Sequence, residues 1–172
     1  MLRPGVLRAG GGVKVPFRIL ILCTGNSARS QMAEALFNRK GAGRVVAESA
    51  GSRPAARVNP LAIEALRAAG IAWSGHQPRG LDGLEARPWD AVITVCDNAK
   101  ESCPIFPGQP VMAHWGMPDP ADVQGDDEAK RRAFRDALLA LSRRIDLLLA
   151  LQIESLQQAA LAARMHHIGE SA

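Results

Sequence analysis

Short apolar runs alternate with helical patterns along most of this 172-residue chain, and that alternation constrains the fold more than any other feature. "FRILIL" reads as a strand, residues 30–41 as a helix, and "RVVAESA" as a second strand. "NPLAIEALRAAG" reads as a second helix, with Asn59 as N-cap, Pro60 at the first helical position and Gly70 closing it. "DAVITV" and "QPVMAHW" are the third and fourth strands. A long helix is predicted from about Asp126 to Gln152, with Leu138, Leu141, Ile145 and Leu148 on one apolar face. Strands that alternate with helices form a parallel sheet, because each right-handed crossover lays its helix against the sheet. The expected fold class is therefore α/β: three layers, with a four-stranded parallel sheet and helices on both faces.

The expected organisation is one domain over residues 17–152. Residues 1–16 hold three consecutive glycines and two prolines without periodicity and read as a disordered lead. Residues 153–172, "IESLQQAALAARMHHIGESA", read as a helical extension or a frayed tail, with the paired histidines at a solvated end. Hydrophobic residues make up 47% of the chain, enough for a substantial core. No apolar run approaches the roughly 20 residues of a membrane span, and the first residues lack the apolar centre of a secretory signal. A soluble cytoplasmic protein with no membrane partner is expected. The net charge of +4 is spread along the chain rather than gathered into a basic run, which favours small anions over nucleic acid. No exposed amphipathic seam stands out, so a monomer is expected.

Chemistry is concentrated in "ILCTGNSARS". Between Cys23 and Arg29 lie Thr24, Gly25, Asn26, Ser27 and Ala28, small enough for the chain to curl and aim several backbone N–H groups at one centre. The helix beginning near Ser30 adds its N-terminal dipole, and the guanidinium fork of Arg29 matches an oxyanion. The same field is expected to lower the Cys23 thiol pKa, with Ser30 donating a hydrogen bond to the sulfur. An ordinary strand-to-helix turn around a buried cysteine is the plain alternative. The chain has three cysteines and no export signal, which argues for free thiols over a structural disulfide framework.

"CTGNSARSQMAEAL" resembles the phosphate-binding loop of the low-molecular-weight protein tyrosine phosphatase superfamily, whose members include arsenate reductases. The resemblance spans about residues 17–150. It implies the same four-stranded sheet, with the loop after the first strand and attack by Cys23 on a tetrahedral oxyanion held by Arg29. "VCDNAKESCPIFPG" is similar to the C-x6-C-P segment of the thioredoxin-coupled arsenate reductases. That likeness implies a relay: Cys23 binds arsenate, Cys96 displaces arsenite and forms a disulfide with Cys23, and Cys103 resolves it as Cys96–Cys103. Thioredoxin, or a glutaredoxin couple, would reopen that bond. Phosphate or sulfate would compete with arsenate. Asp119, before Pro120 in "HWGMPDPAD", matches the acidic loop of the family and is the expected acid, although Asp-Pro also favours a plain turn.

Seven residues of helix would separate Cys96 and Cys103 by about 10.5 Å along the axis, whereas a disulfide needs Cα atoms within roughly 7 Å. A helical segment must unwind to be oxidised, and Pro104, Pro107, Gly108 and Pro110 already mark it as irregular. A zinc site built from Cys96, Cys103 and His114 lacks the short spacing and a fourth ligand, so neither metal nor cofactor is expected. The chain has no tyrosine, and no aromatic wall follows Asp119 to hold a phosphotyrosine ring. Trp73 and Trp115 are read as packing or loop cover. Several thioredoxin-coupled relatives bind potassium with residues that resemble Asn26, Glu34 and Ser49, but Arg79 stands where they carry an aspartate. The expectation is no potassium site, with Arg79 bracing the loop itself. A phosphomonoesterase with two spectator cysteines, and a non-catalytic oxyanion sensor, stay open as alternatives.

Overall fold

The computed structural model describes residues 15–171. The lead expected over residues 1–16 falls almost wholly outside the described residues. Four parallel strands, β1 (Phe17–Cys23), β2 (Val45–Gly51), β3 (Ala91–Thr94) and β4 (Val111–His114), form one sheet in the order β2-β1-β3-β4. Phe17 pairs with Val45 and Cys23 with Gly51 on one side of β1; Ile19 pairs with Ala91 and Leu22 with Thr94 on the other. Apart from Arg18, every residue of β1 and β3 is buried. A strand buried on alternate residues of both faces requires cover on both sides of the sheet, which is the reason these runs are apolar without alternation.

The helices are α1 (Arg29–Gly41), α2 (Pro60–Ala68), the short α3 (Asp97–Glu101), α4 (Asp127–Leu149) and α5 (Gln158–Ser171). Local signals place their ends. Asn59 Oδ1 accepts from Leu61 N at 2.9 Å, with Pro60 following, and Gly70 takes the left-handed conformation after α2. Asp126 Oδ1 accepts from Ala129 N at 2.8 Å to start α4. That helix stops at Leu149, three residues before the expected Gln152, because Arg44 draws the end of the helix onto itself: its guanidinium takes the carbonyls of Leu149 and Leu151 and the carboxylate of Glu154. Phe134, Leu138, Leu141, Ile145 and Leu148 are buried along one face of α4, each contributing about 1.5–3 kcal/mol on leaving water.

The C-terminal tail neither frays nor continues α4. It turns back as α5 and packs against β4, burying Leu161, Met165 and Ile168, while Trp115 Nε1 donates to Met165 O at 2.9 Å. Trp115 is itself fully buried and stacks on Phe37 with centroids 6.1 Å apart. Gly169 permits the close approach, since a Cβ there would lie 2.6 Å from His114 O. The packed body therefore runs past residue 152, because the apolar residues 161, 165 and 168 recur at helical spacing and need a surface to cover. His166 and His167 are exposed, as expected of a solvated end.

Candidate active site

β1 ends on Cys23 and α1 begins at Arg29, so the residues between them form a loop at the carboxyl edge of the sheet. The carbonyls of that loop bond outward to the segment after β2. Ser52 N donates to Cys23 O at 3.2 Å, Arg53 N to Thr24 O at 2.9 Å, Ala55 N to Gly25 O at 2.9 Å and Asn59 N to Ser27 O at 2.8 Å. Because C=O and N–H of one peptide unit point opposite ways, these bonds turn the amides of Thr24, Gly25, Asn26 and Ala28 to the inside of the curl. That is the nest an oxyanion needs. Gly51 makes the approach possible: a Cβ there would sit 2.4 Å from Thr24 O.

Asn26 holds the curl. Its φ of 49° is left-handed and its side chain is fully buried. Asn26 Nδ2 donates to Ser30 Oγ and Ser49 Oγ, each at 2.9 Å, while Oδ1 accepts from Arg79 N at 3.1 Å and Gln31 Nε2 at 3.3 Å. All four amide valences are in use. Arg79 also donates through Nε to Ser49 O at 3.0 Å and through Nη2 to Glu48 Oε1 at 3.2 Å, so it braces the loop directly. Glu48 in turn takes Arg18 and Arg87. The sequence points to Asn26, Ser49 and Arg79 through the family resemblance, but not to the Glu48 carboxylate that gathers Arg18, Arg79 and Arg87.

Behind Asn26, Ser49 Oγ donates to Glu34 Oε2 at 2.8 Å, and His76 Nε2 lies 3.1 Å from the same oxygen. Burial pushes the Glu34 carboxyl up, against the pull of Ser49, His76 and Arg79. The residues do not fit potassium: a cation there would face the charge of Arg79 on Ser49 O. Among the described residues no group of three or more His, Cys, Asp and Glu side chains is placed to hold a metal ion.

Arg29 is 7% exposed, its Nη1 bonded to Met117 O at 2.8 Å and its Nη2 paired with Asp119 Oδ2 at 3.1 Å. Its Nε is buried with no acceptor in the protein, a donor that a bound anion would satisfy. Asp119 does two things at once. One oxygen meets Arg29, and the other accepts from Ala121 N at 3.0 Å to start a single 3-10 turn over Pro120–Asp122. The turn expected of Asp-Pro is present, and the same side chain faces Arg29.

One thiol, Cys23, departs from expectation. Cys96, two residues past the end of β3, reaches Thr24 of the loop, and the three cysteines are free. The Cys23 thiol donates its side-chain hydrogen bond to Cys96, while Ser30 Oγ accepts from Asn26 Nδ2. That bond and burial push the Cys23 thiol up, against the pull of Arg29, so the expected lowering of Cys23 is reversed. Cys96 is pushed down to about 5, first by the hydrogen bond from Cys23, then by Thr24, the Ala99 amide and Arg29, with burial opposing. Thr24 Oγ1 lies 3.2 Å from the Cys96 sulfur. These surroundings favour a thiolate on Cys96 over one on Cys23. Cys103 sits beyond α3, half-buried, its thiol pushed up by burial. The segment after it is irregular, with Gly108 and Gln109 both at positive φ.

Comparison with known proteins follows the geometry. The family described as low molecular weight phosphotyrosine protein phosphatase matches residues 18–163. An arsenate reductase of Halalkalibacterium halodurans is 38% identical over 127 residues, covering 74% of this chain and 91% of that protein. The crystal structure of an arsenate reductase from Archaeoglobus fulgidus is similar with a TM-score of 0.60 at 33% identity, covering 77% of this chain and 99% of that one. A thioredoxin-dependent arsenate reductase of Corynebacterium glutamicum is similar with a TM-score of 0.55 at 29% identity, covering 78% of this chain and 65% of that one.

Proposed function

The chain belongs to the low-molecular-weight phosphotyrosine protein phosphatase family, and on that footing we propose that it reduces arsenate to arsenite through a relay of its three cysteines. One observation carries the proposal: Cys96 stands against the anion loop, its sulfur 3.2 Å from Oγ1 of Thr24, the residue next to Cys23. Hydrolysis of a phosphate ester has work for one thiolate. Reduction needs a second that reaches the first. The relatives named arsenate reductase support the same reading.

Arsenate enters the nest of loop amides and takes the guanidinium of Arg29, which offsets its charge. Cys23 attacks arsenic, and one arsenate oxygen leaves as water with the Cys23 proton and one proton from arsenate; Asp119 handles proton transfer at this oxygen. Cys96, already a thiolate, then attacks the Cys23 sulfur. The S–S bond forms, the S–As bond breaks, and its electron pair stays on arsenic, which departs as arsenite. Cys103, deprotonated, attacks the Cys96 sulfur and expels Cys23 as thiolate, leaving Cys96–Cys103 oxidised. A dithiol of the thioredoxin kind reopens that disulfide, with a glutaredoxin couple as the other candidate. The relay uses no cofactor, phosphate or sulfate competes for the nest, and the cellular role is arsenic detoxification in the cytoplasm by a monomer.

The test is arsenite formed per reduced protein, with and without a thioredoxin system, and disulfide mapping by mass spectrometry. About one arsenite per chain without reductant, a Cys96–Cys103 disulfide, and many turnovers with reductant are expected. Absence of arsenite together with hydrolysis of phosphate esters would move the assignment to a phosphatase. Cys103→Ser separates the two: multiple-turnover reduction collapses, while ester hydrolysis survives.

A further inference from the structure

We propose that His114 and Asp97 form a latch that holds α3 closed beside Cys96, so that releasing it governs how fast Cys103 resolves a disulfide on Cys96. The proposal rests on the relay above. Asp97 is the first residue of α3 and directly follows Cys96. Its carboxylate oxygen Oδ1 lies 2.9 Å from His114 Nε2. An ionised carboxylate only accepts, so Nε2 carries the hydrogen and donates.

The two ends of this bond differ in mobility. His114 ends β4, and its Nδ1 meets Thr94 Oγ1 of β3 at 2.8 Å. A Cβ at Gly116 would lie 2.5 Å from His114 Nε2, so the chain leaves that space for the ring. Its backbone is covered by α5 at Gly169. The imidazole is a fixed arm on the sheet. Asp97 belongs to a five-residue helix and its side chain is 87% exposed. Of the α3 residues only Ala99 is buried, and Phe106 pins the chain again beyond Cys103. Between those two anchors Lys100, Glu101 and Ser102 are exposed and Ile105 is almost fully so. The Asp97–His114 bond is therefore the polar tie between the sheet and the element that must unwind.

His114 is a positioning residue in this scheme, acting through Asp97. Resolution can be isolated in a Cys23→Ser background, with oxidised glutathione used to place a glutathione on Cys96. Cys103 thiolate then attacks the Cys96 sulfur, the Cys96–Cys103 bond forms, and glutathione thiolate leaves, which mass spectrometry times directly. Asp97→Ala should speed this step about two- to fivefold, the range a solvent-exposed polar pair supports. Hydrogen exchange at amides 98–103 should quicken by the same factor, with β3 and β4 unchanged. Asp97→Glu should restore most of the delay, and adding His114→Gln to Asp97→Ala should change nothing further. Wild-type resolution and exchange in Asp97→Ala, or additive effects in the double variant, would overturn the latch alone. No Cys96–Cys103 disulfide under any of these conditions would overturn the relay and the latch together.

Discussion

Thr24 Oγ1 and the Cys96 sulfur, 72 positions apart in sequence, lie 3.2 Å from one another across the mouth of the anion loop. A hydroxyl in this place stabilises a thiolate on Cys96, the nucleophile of the second proposed step. Thr24→Val keeps the shape and removes the donor. Release of arsenite after the first adduct should slow by about tenfold, the worth of roughly one hydrogen bond to a charged group. Single-turnover kinetics with arsenate should show this with phosphate affinity little changed.

The lowered Cys96 thiol has its own pH signature. Thiolate absorbance near 240 nm should show one thiolate per chain with a midpoint about 5, lost in Cys96→Ser. Linkage gives the sign for stability. Cys96 is depressed below its ordinary 9.0, so its contribution is full above pH 9, is lost as pH falls toward 5, and is absent below. Cys23 is raised, so it adds no slope in that window and erodes stability only at higher pH. The urea midpoint of the reduced protein should therefore climb from pH 5 to 9 more steeply than that of Cys96→Ser.

Asp119→Asn preserves the turn, since an amide oxygen still accepts from Ala121 N, but removes the charge that faces Arg29. Turnover should fall by about 10²–10⁴, the usual weight of a general acid. Phosphate should bind no more weakly, because Arg29 is freed from a competing anion. Calorimetric phosphate binding beside kcat checks both halves.

Arg79→Gln cuts the bonds to Ser49 O and Glu48 while leaving the backbone donor to Asn26. Loss of these half-exposed contacts should cost about 1–2 kcal/mol of stability and raise KM for arsenate severalfold through a looser loop. Potassium chloride should affect the wild type no differently from sodium chloride, in binding and in melting temperature.

Much of this was legible in the chain itself. Apolar runs, the Asn59-Pro60 and Asp126 caps and the Gly70 stop marked four strands and three of the helices, because each signal lies within a few residues of what it determines. The small residues between Cys23 and Arg29 likewise foretold a curl before a helix. The C-terminal helix was less so: its apolar residues at 161, 165 and 168 state a helical period but not the surface that they cover.

What the sequence by itself determined is the set of local conformations, along with which side chains stand at the carboxyl edge of the sheet. Tertiary structure decided what surrounds each thiol. The order β2-β1-β3-β4 places the end of β3 beside the end of β1, so Cys96 meets Thr24 and its thiol is pushed down by the donors around it. The same packing wires Arg79 to Asn26 and ties Asp97 to His114. A thiol's charge depends on donors and burial within a few ångströms, and those neighbours come from segments whose separation along the chain says nothing of their distance in space.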